Sequence, residues 1–282
     1  MTVAVALRVH DGLVLAADSA STLVGTDPST GNSGVFNVYN NACKIVNLYK
    51  GLPVGMMTWG AGSIGPASIA TLAKDLRARL MVEGDGGIEP GAYDMLDVAN
   101  RVRQFFYEER YVPEFGHLPP EQQPDLGLCV AGYSPGQQLA EVYQVDICGG
   151  QCPEPALVGP PEVAGVTVNG QPEAVARLLR GYSLGLPAAM QSLGVQEPEL
   201  SNVLAYLQTT LSVPMVEAAM PIQDAIDLAE FLVYVTIQYS RFKLDWPTCG
   251  GPIEVAAITK HEGFRWVKRK MYFTHEFNPE VA

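Results

Sequence analysis

Thr2 lies one residue from the start of the chain, and removal of Met1 would leave it carrying both a hydroxyl and a free α-amine. A free α-amine has an unperturbed pKa of roughly 7.7–8.0, so near neutrality a useful fraction is an uncharged base. That amine can take the hydroxyl proton and so activate threonine as a nucleophile. A carboxylate, Asp18, ends the second apolar run of the chain. Gly60-Ala61-Gly62-Ser63-Ile64-Gly65 is a literal G-x-G-x-x-G, the spacing that cradles a dinucleotide when a βαβ unit surrounds it. The five cysteines are odd in number, and their one close pair, Cys148 and Cys152, has no second pair or nearby histidine to complete a zinc site. The four histidines have no ligand spacing to one another, and no Gly-x-Ser-x-Gly elbow supports a serine triad.

The elements that must position these residues are read from punctuation and period. Two apolar runs, Val3–Val9 and Leu13–Ala17, meet at Asp11-Gly12, which predicts a hairpin. Residues 25–41 are rich in Gly, Ser, Thr and Asn and read as a loop. A second hairpin is expected over Lys44–Leu48 and Val54–Trp59. After Gly65, Ile69, Leu72, Ala73, Leu76 and Leu80 share one helical face, and Met95, Ala99, Val102 and Phe106 mark a second helix. No strand separates those helices, so the dinucleotide reading fails on context. Residues 111–124 hold four prolines and read as a surface loop. A third hairpin spans Leu126–Tyr133 and Leu139–Ile147. Then come a strand near Val163–Val168, a helix with Ala174, Val175 and Leu178 inward, and a helix over Pro198–Leu211. A long helix, Gln223–Phe242, should bury Ala225, Leu228, Leu232, Val235 and Tyr239. Strands at Ile253–Thr259 and Phe264–Val267 follow. Helices segregated from antiparallel strands make an α+β protein, taken as one domain over 1–282.

In this order the start of the chain resembles the proteasome β-subunit family of N-terminal-nucleophile hydrolases. Members begin their mature chain with Thr and carry a carboxylate sixteen positions later, where Asp18 stands (18 − 2 = 16). Another Thr, whose backbone holds substrate, lies twenty positions on, matched by Thr22 (22 − 2 = 20). A Lys opens the next strand, matched by Lys44 after a longer loop. The resemblance implies that Gly62 donates its N–H to an oxyanion and that Gly60 lies near the specificity pocket. It implies supporting roles for Asn169, which replaces a serine, and for Asp245 and Thr248, which have an Asp-x-x-Ser spacing (248 − 245 = 3), although aligning on the following glycine puts Cys249 at the hydroxyl position and Trp246 opposite the Asp. Its further implications are a four-layer αββα sandwich and ring or helical homo-oligomers. They extend to a peptide or unfolded-protein substrate and an ATP-driven unfoldase partner. Thr2 would attack the amide carbonyl, its own amine acting as base and Lys44, buried against Asp18, favouring the neutral amine. The plain alternative for Asp18 and Lys44 is an ion pair between strands. An N-terminal threonine peptidase is therefore the leading expectation. The alternatives are a non-catalytic assembly protein that kept the fold and a small-amide hydrolase of the same chemistry.

Composition sets the outer bounds. An apolar fraction of 48% with 17% charged residues is that of a globular protein. A net charge of −12 argues against a nucleic-acid surface. The cluster Lys268-Arg269-Lys270 reads as a solvated strand end. No apolar run has the length of a membrane span, and no basic-then-apolar leader is present, so a cytoplasmic protein with reduced thiols is expected. No cofactor or metal is expected.

Overall fold

The computed structural model describes residues 2–26, 33–82, 84, 86–244 and 246–270. In chain order the strands are β1 Val3–Val9, β2 Gly12–Ala17, β3 Ser21–Thr26, β4 Ser33–Tyr39, β5 Ile45–Asn47 and β6 Val54–Gly60. Two-residue strands β7 Ser63–Ile64 and β8 Ala67–Ser68 follow, then β9 Leu126–Gly132, β10 Glu141–Ile147, β11 Ala156–Leu157, β12 Gly165–Gly170, β13 Glu254–Thr259 and β14 Gly263–Lys268. The helices are α1 Ile69–Leu80, α2 Met95–Arg103, α3 Val112–Phe115, α4 Glu173–Arg180, α5 Leu186–Ser192, α6 Glu199–Leu211 and α7 Ile222–Phe242. A π-helical turn, Gln104–Tyr111, joins α2 to α3.

Two antiparallel sheets, ordered β12-β1-β2-β13-β14 and β11-β10-β9-β6-β5, stack face to face. Side chains alternate along a strand, so β1 sends Val3, Val5, Leu7 and Val9 to one side and Ala4 and Ala6 to the other. The larger set packs against α7 and α4, where Val175, Ala225, Ala229, Leu232 and Val233 are buried. Ala4 and Ala6, with Leu15 of β2, meet the other sheet at Met57, Cys129 and Ala131. On that sheet's outer face, α1 and α2 bury Leu72, Leu76, Val98 and Val102 against Met56, Leu128 and Val130. The result is the four-layer αββα sandwich. With both faces of the central sheets covered, β1 and β2 are buried at every position.

The expected hairpins form where Asp11-Gly12 and the period-two runs placed them. Four local expectations need correction. Residues 25–41 are not simply a loop: β4 pairs with β3, with Thr22 opposite Val38, because Val35, Phe36, Val38 and Tyr39 supply a strand pattern within the polar composition. The 111–124 segment includes α3 and a 3₁₀ turn at Pro120–Gln122. The buried face of α7 is rotated from the expected one: Ile226, Ala229, Val233, Thr236 and Ser240 go inward with Ala225 and Leu232, while Tyr239 is exposed. Finally, Lys270 is not solvated; its side chain folds against buried Glu254.

Candidate functional site

Thr2, Thr22, Lys44, Gly60 and Gly62 line one recess at the end of β1 and β6, together with Ser21, Cys43 and Trp59. Residues from four separate stretches of the chain thus meet at one place. The recess is small, about 30 Å³, and is not closed off from solvent. Thr2 is itself 3% exposed.

Asp18 is fully buried behind this recess, and both of its oxygens are occupied. Oδ1 accepts from the Val3 N–H at 3.1 Å and from Lys44 Nζ at 2.5 Å. Oδ2 accepts from the Ala20 N–H at 3.2 Å and the Gly250 N–H at 2.9 Å. One carboxylate therefore ties β1, the β2–β3 turn, the strand entered by Lys44 and the approach to β13. Burial lowers the Lys44 pKa, an effect that the charge and hydrogen bond of Asp18 oppose. Burial also pushes the Cys249 thiol up to about 12, with the nearby Asp18 charge adding to it.

The glycines earn their places by close approach. Gly60 has φ +85°, and a Cβ there would stand 2.4 Å from the Asp125 carbonyl oxygen. A Cβ on Gly62 would meet Ser21 Oγ at 2.8 Å. At the other side, Gly170 (φ +81°) lets β12 approach the Thr2 carbonyl, where a Cβ would come within 2.0 Å of the oxygen.

The supporting residues do not converge on the recess. Asn169 sits opposite Ala4 in β12 and is not part of the recess lining. Thr248 turns away: its N–H donates to Ser240 Oγ on α7 at 2.9 Å, and its side chain lines a separate cavity with Thr236, Tyr239 and Trp246. The backbone two residues on does the work instead, since Gly250 N–H reaches Asp18 and Gly250 O accepts from Ser19 N–H at 2.9 Å. Asp245 and Met1 lie outside the described residues.

A second buried ion pair lies beside the first. Glu254 on β13 is fully buried, and Lys270 Nζ stands 3.3 Å from its Oε2. The same ammonium donates to Ser19 Oγ at 2.8 Å and to the Ala42 carbonyl at 2.6 Å. Cys43 Sγ lies 3.8 Å from Glu254 Oε1, and its thiol pKa is raised by burial and then by that carboxylate. Glu254 did not stand out in the sequence, where an acid in an apolar strand was the available signal, and Lys270 did so only as part of a basic cluster.

Of the remaining sequence candidates, Cys148 pairs across a tight turn with Gln151, which puts Cys152 on the opposite face, buried while Cys148 is exposed. Among the described residues no group of three or more His, Cys, Asp or Glu side chains could hold a metal ion, and no helix is long and apolar enough to cross a membrane.

No known family profile and no curated protein matches the sequence. In three dimensions the chain is similar to a solved structure of the Anbu (Gly-1) mutant from Hyphomicrobium sp. strain MC1. That match covers 96% of this chain and 86% of that one, with a TM-score of 0.54 and 17% identity. The fold is accordingly that of the proteasome β-subunit-like N-terminal-nucleophile hydrolases. The same finding corrects the functional expectation. A likeness at 17% identity to an Anbu (Gly-1) mutant carries the fold and no peptidase activity, so the labels hydrolase and threonine protease are not carried over.

Proposed function

We propose that this protein is a non-catalytic, self-associating member of the N-terminal-nucleophile fold, in which the Thr2–Asp18–Lys44 cluster serves as a buried polar fastening. The observation that carries the reading is the state of Asp18. All four of its acceptor contacts hold four chain segments, and the recess in front of it is small, about 30 Å³. A peptide substrate and an unfoldase have no part in this reading.

Self-association is supported by the outer face of α7. Phe231 and Tyr234 lie one turn apart there and are 43% and 52% exposed, and Phe242 at the helix end is 73% exposed. Tyr206 on α6 is exposed as well. Clustered exposed aromatics of this kind mark surfaces that meet another protein, and a second copy of the same chain is the commonest partner for a soluble protein. The test is light scattering coupled to size exclusion. The native chain is expected to run as a homo-oligomer, and Phe231→Ser combined with Tyr234→Ser to shift it to smaller species with its circular dichroism unchanged. A native monomer at micromolar concentration would overturn the assembly role.

A further inference from the structure

We propose that a recess at the β11–β12 end of the sandwich, far along β1 from Thr2, is a binding site for a small monocarboxylate with a compact apolar body. Along β1 the positions facing the other sheet are Ala4, Ala6 and then Arg8, so the alternation that keeps two alanines in the inter-sheet core sends a guanidinium into the same layer. Arg8 is 8% exposed. Its Nε and Nη2 donate to the backbone carbonyls of Val163 and Pro160, at 3.1 Å and 2.6 Å, with a second Nη2 contact to Val163 at 2.9 Å. Nη1 is buried without a hydrogen-bond partner. Carbonyl oxygens carry only partial charge, and Arg8 forms no ion pair among the described residues; Glu162, the carboxylate that acts on it, does so at a distance from an exposed position. A buried guanidinium cannot shed its proton as a lysine can, so its environment favours an anion.

Beside this cation the structure leaves space. Gly165 stands directly opposite Arg8 in the β1–β12 register, and a Cβ on it would meet no atom within 4 Å. The recess that Arg8 and Gly165 line holds about 180 Å³, and its other walls include Ala6, Leu13, Val142, Val158 and the hydroxyl-bearing Thr167. A dry cavity of ~150 Å³ is known to take up benzene. One fixed positive group, one threonine and otherwise aliphatic walls select a carboxylate whose body is about that size, and reject inorganic anions, which gain nothing from the apolar walls.

Titration calorimetry of the full chain with sodium benzoate and with its neutral isostere benzamide tests the site. Benzoate should bind saturably and benzamide at least about tenfold more weakly, the difference expected of a charge-assisted hydrogen bond. Arg8→Gln should remove that preference. Arg8 also holds the Pro160–Val163 turn, so a second variant leaves the cation in place: Gly165→Leu fills the recess and should abolish benzoate binding at an unchanged unfolding midpoint. Absence of saturable benzoate binding, equal binding of benzamide, or benzoate binding undisturbed in Gly165→Leu would each overturn the proposal.

Discussion

Replacing Asp18 by Asn probes the fastening with almost no change in volume. The carboxylate is fully buried and accepts two hydrogen bonds on each oxygen. An amide offers one acceptor oxygen and one donor NH₂ group, so whichever way it turns, two donors lose their acceptor. If the NH₂ takes the Oδ1 place, it faces the Val3 N–H and the Lys44 ammonium; in the Oδ2 place it faces the Ala20 and Gly250 N–H groups. Each stranded buried group costs about 1–3 kcal/mol, and removal of one member of a buried ion pair costs about 3–5 kcal/mol. These overlap, so the expected loss is about 3–5 kcal/mol. Lys44 limits it, because burial already lowers its pKa and the unpaired amine can shed its proton. Adding Lys44→Met to Asp18→Asn should therefore cost less than the two single changes summed, by roughly 1–2 kcal/mol. Equilibrium urea unfolding at one fixed protein concentration measures all four corners of the cycle. An Asp18→Asn chain within about 1 kcal/mol of the native protein, or single changes that simply add, would show that the cluster is not a structural fastening.

Further outcomes follow from the same geometry. Gly60→Ala should destabilise by about 2 kcal/mol or more, since it combines a left-handed backbone with a Cβ 2.4 Å from a backbone oxygen. Gly62→Ala should cost under about 1 kcal/mol, because the atom in the way is the Ser21 hydroxyl, which can rotate; urea midpoints of the two variants check the order. Burial pushes the Cys129 thiol from 9.0 up to about 12. Between those values the folded thiol keeps its proton while the unfolded one releases it, so stability is intact below pH 9 and falls as pH rises through the window. Cys129→Ala should make that alkaline decline shallower by up to about 1.4 kcal/mol per pH unit, measured as midpoints on either side of the unfolded thiol pKa.

Much of the sandwich was legible because its strands are punctuated: Asp11-Gly12 between two apolar runs leaves little choice but a hairpin. Thr2, Thr22, Lys44, Gly60 and Gly62, singled out through the family resemblance, line one recess, with Asp18 bonded to Lys44. What escaped has physical reasons. The β4 strand hides in a segment whose Gly, Ser and Asn content outweighs Val35, Phe36, Val38 and Tyr39. The inward face of α7 uses Ala229, Thr236 and Ser240, small residues that a search for Leu and Tyr passes over. Gly250 reaches Asp18 with a backbone N–H, which no side-chain pattern announces, and so the eye falls on Thr248 instead. Glu254 and Lys270 meet only through the β13–β14 turn. Arg8 was visible as a charge in an apolar strand, but whether such a side chain folds inward or reaches for solvent depends on the Pro160–Val163 turn, more than 150 positions away.

The most direct measurement is the intact mass of the native protein after incubation with an electrophilic threonine-directed probe. A cluster that serves only as a fastening predicts no adduct at Thr2 and the same mass profile for Thr2→Ala. A stoichiometric adduct mapped to Thr2 and missing from Thr2→Ala would contradict it.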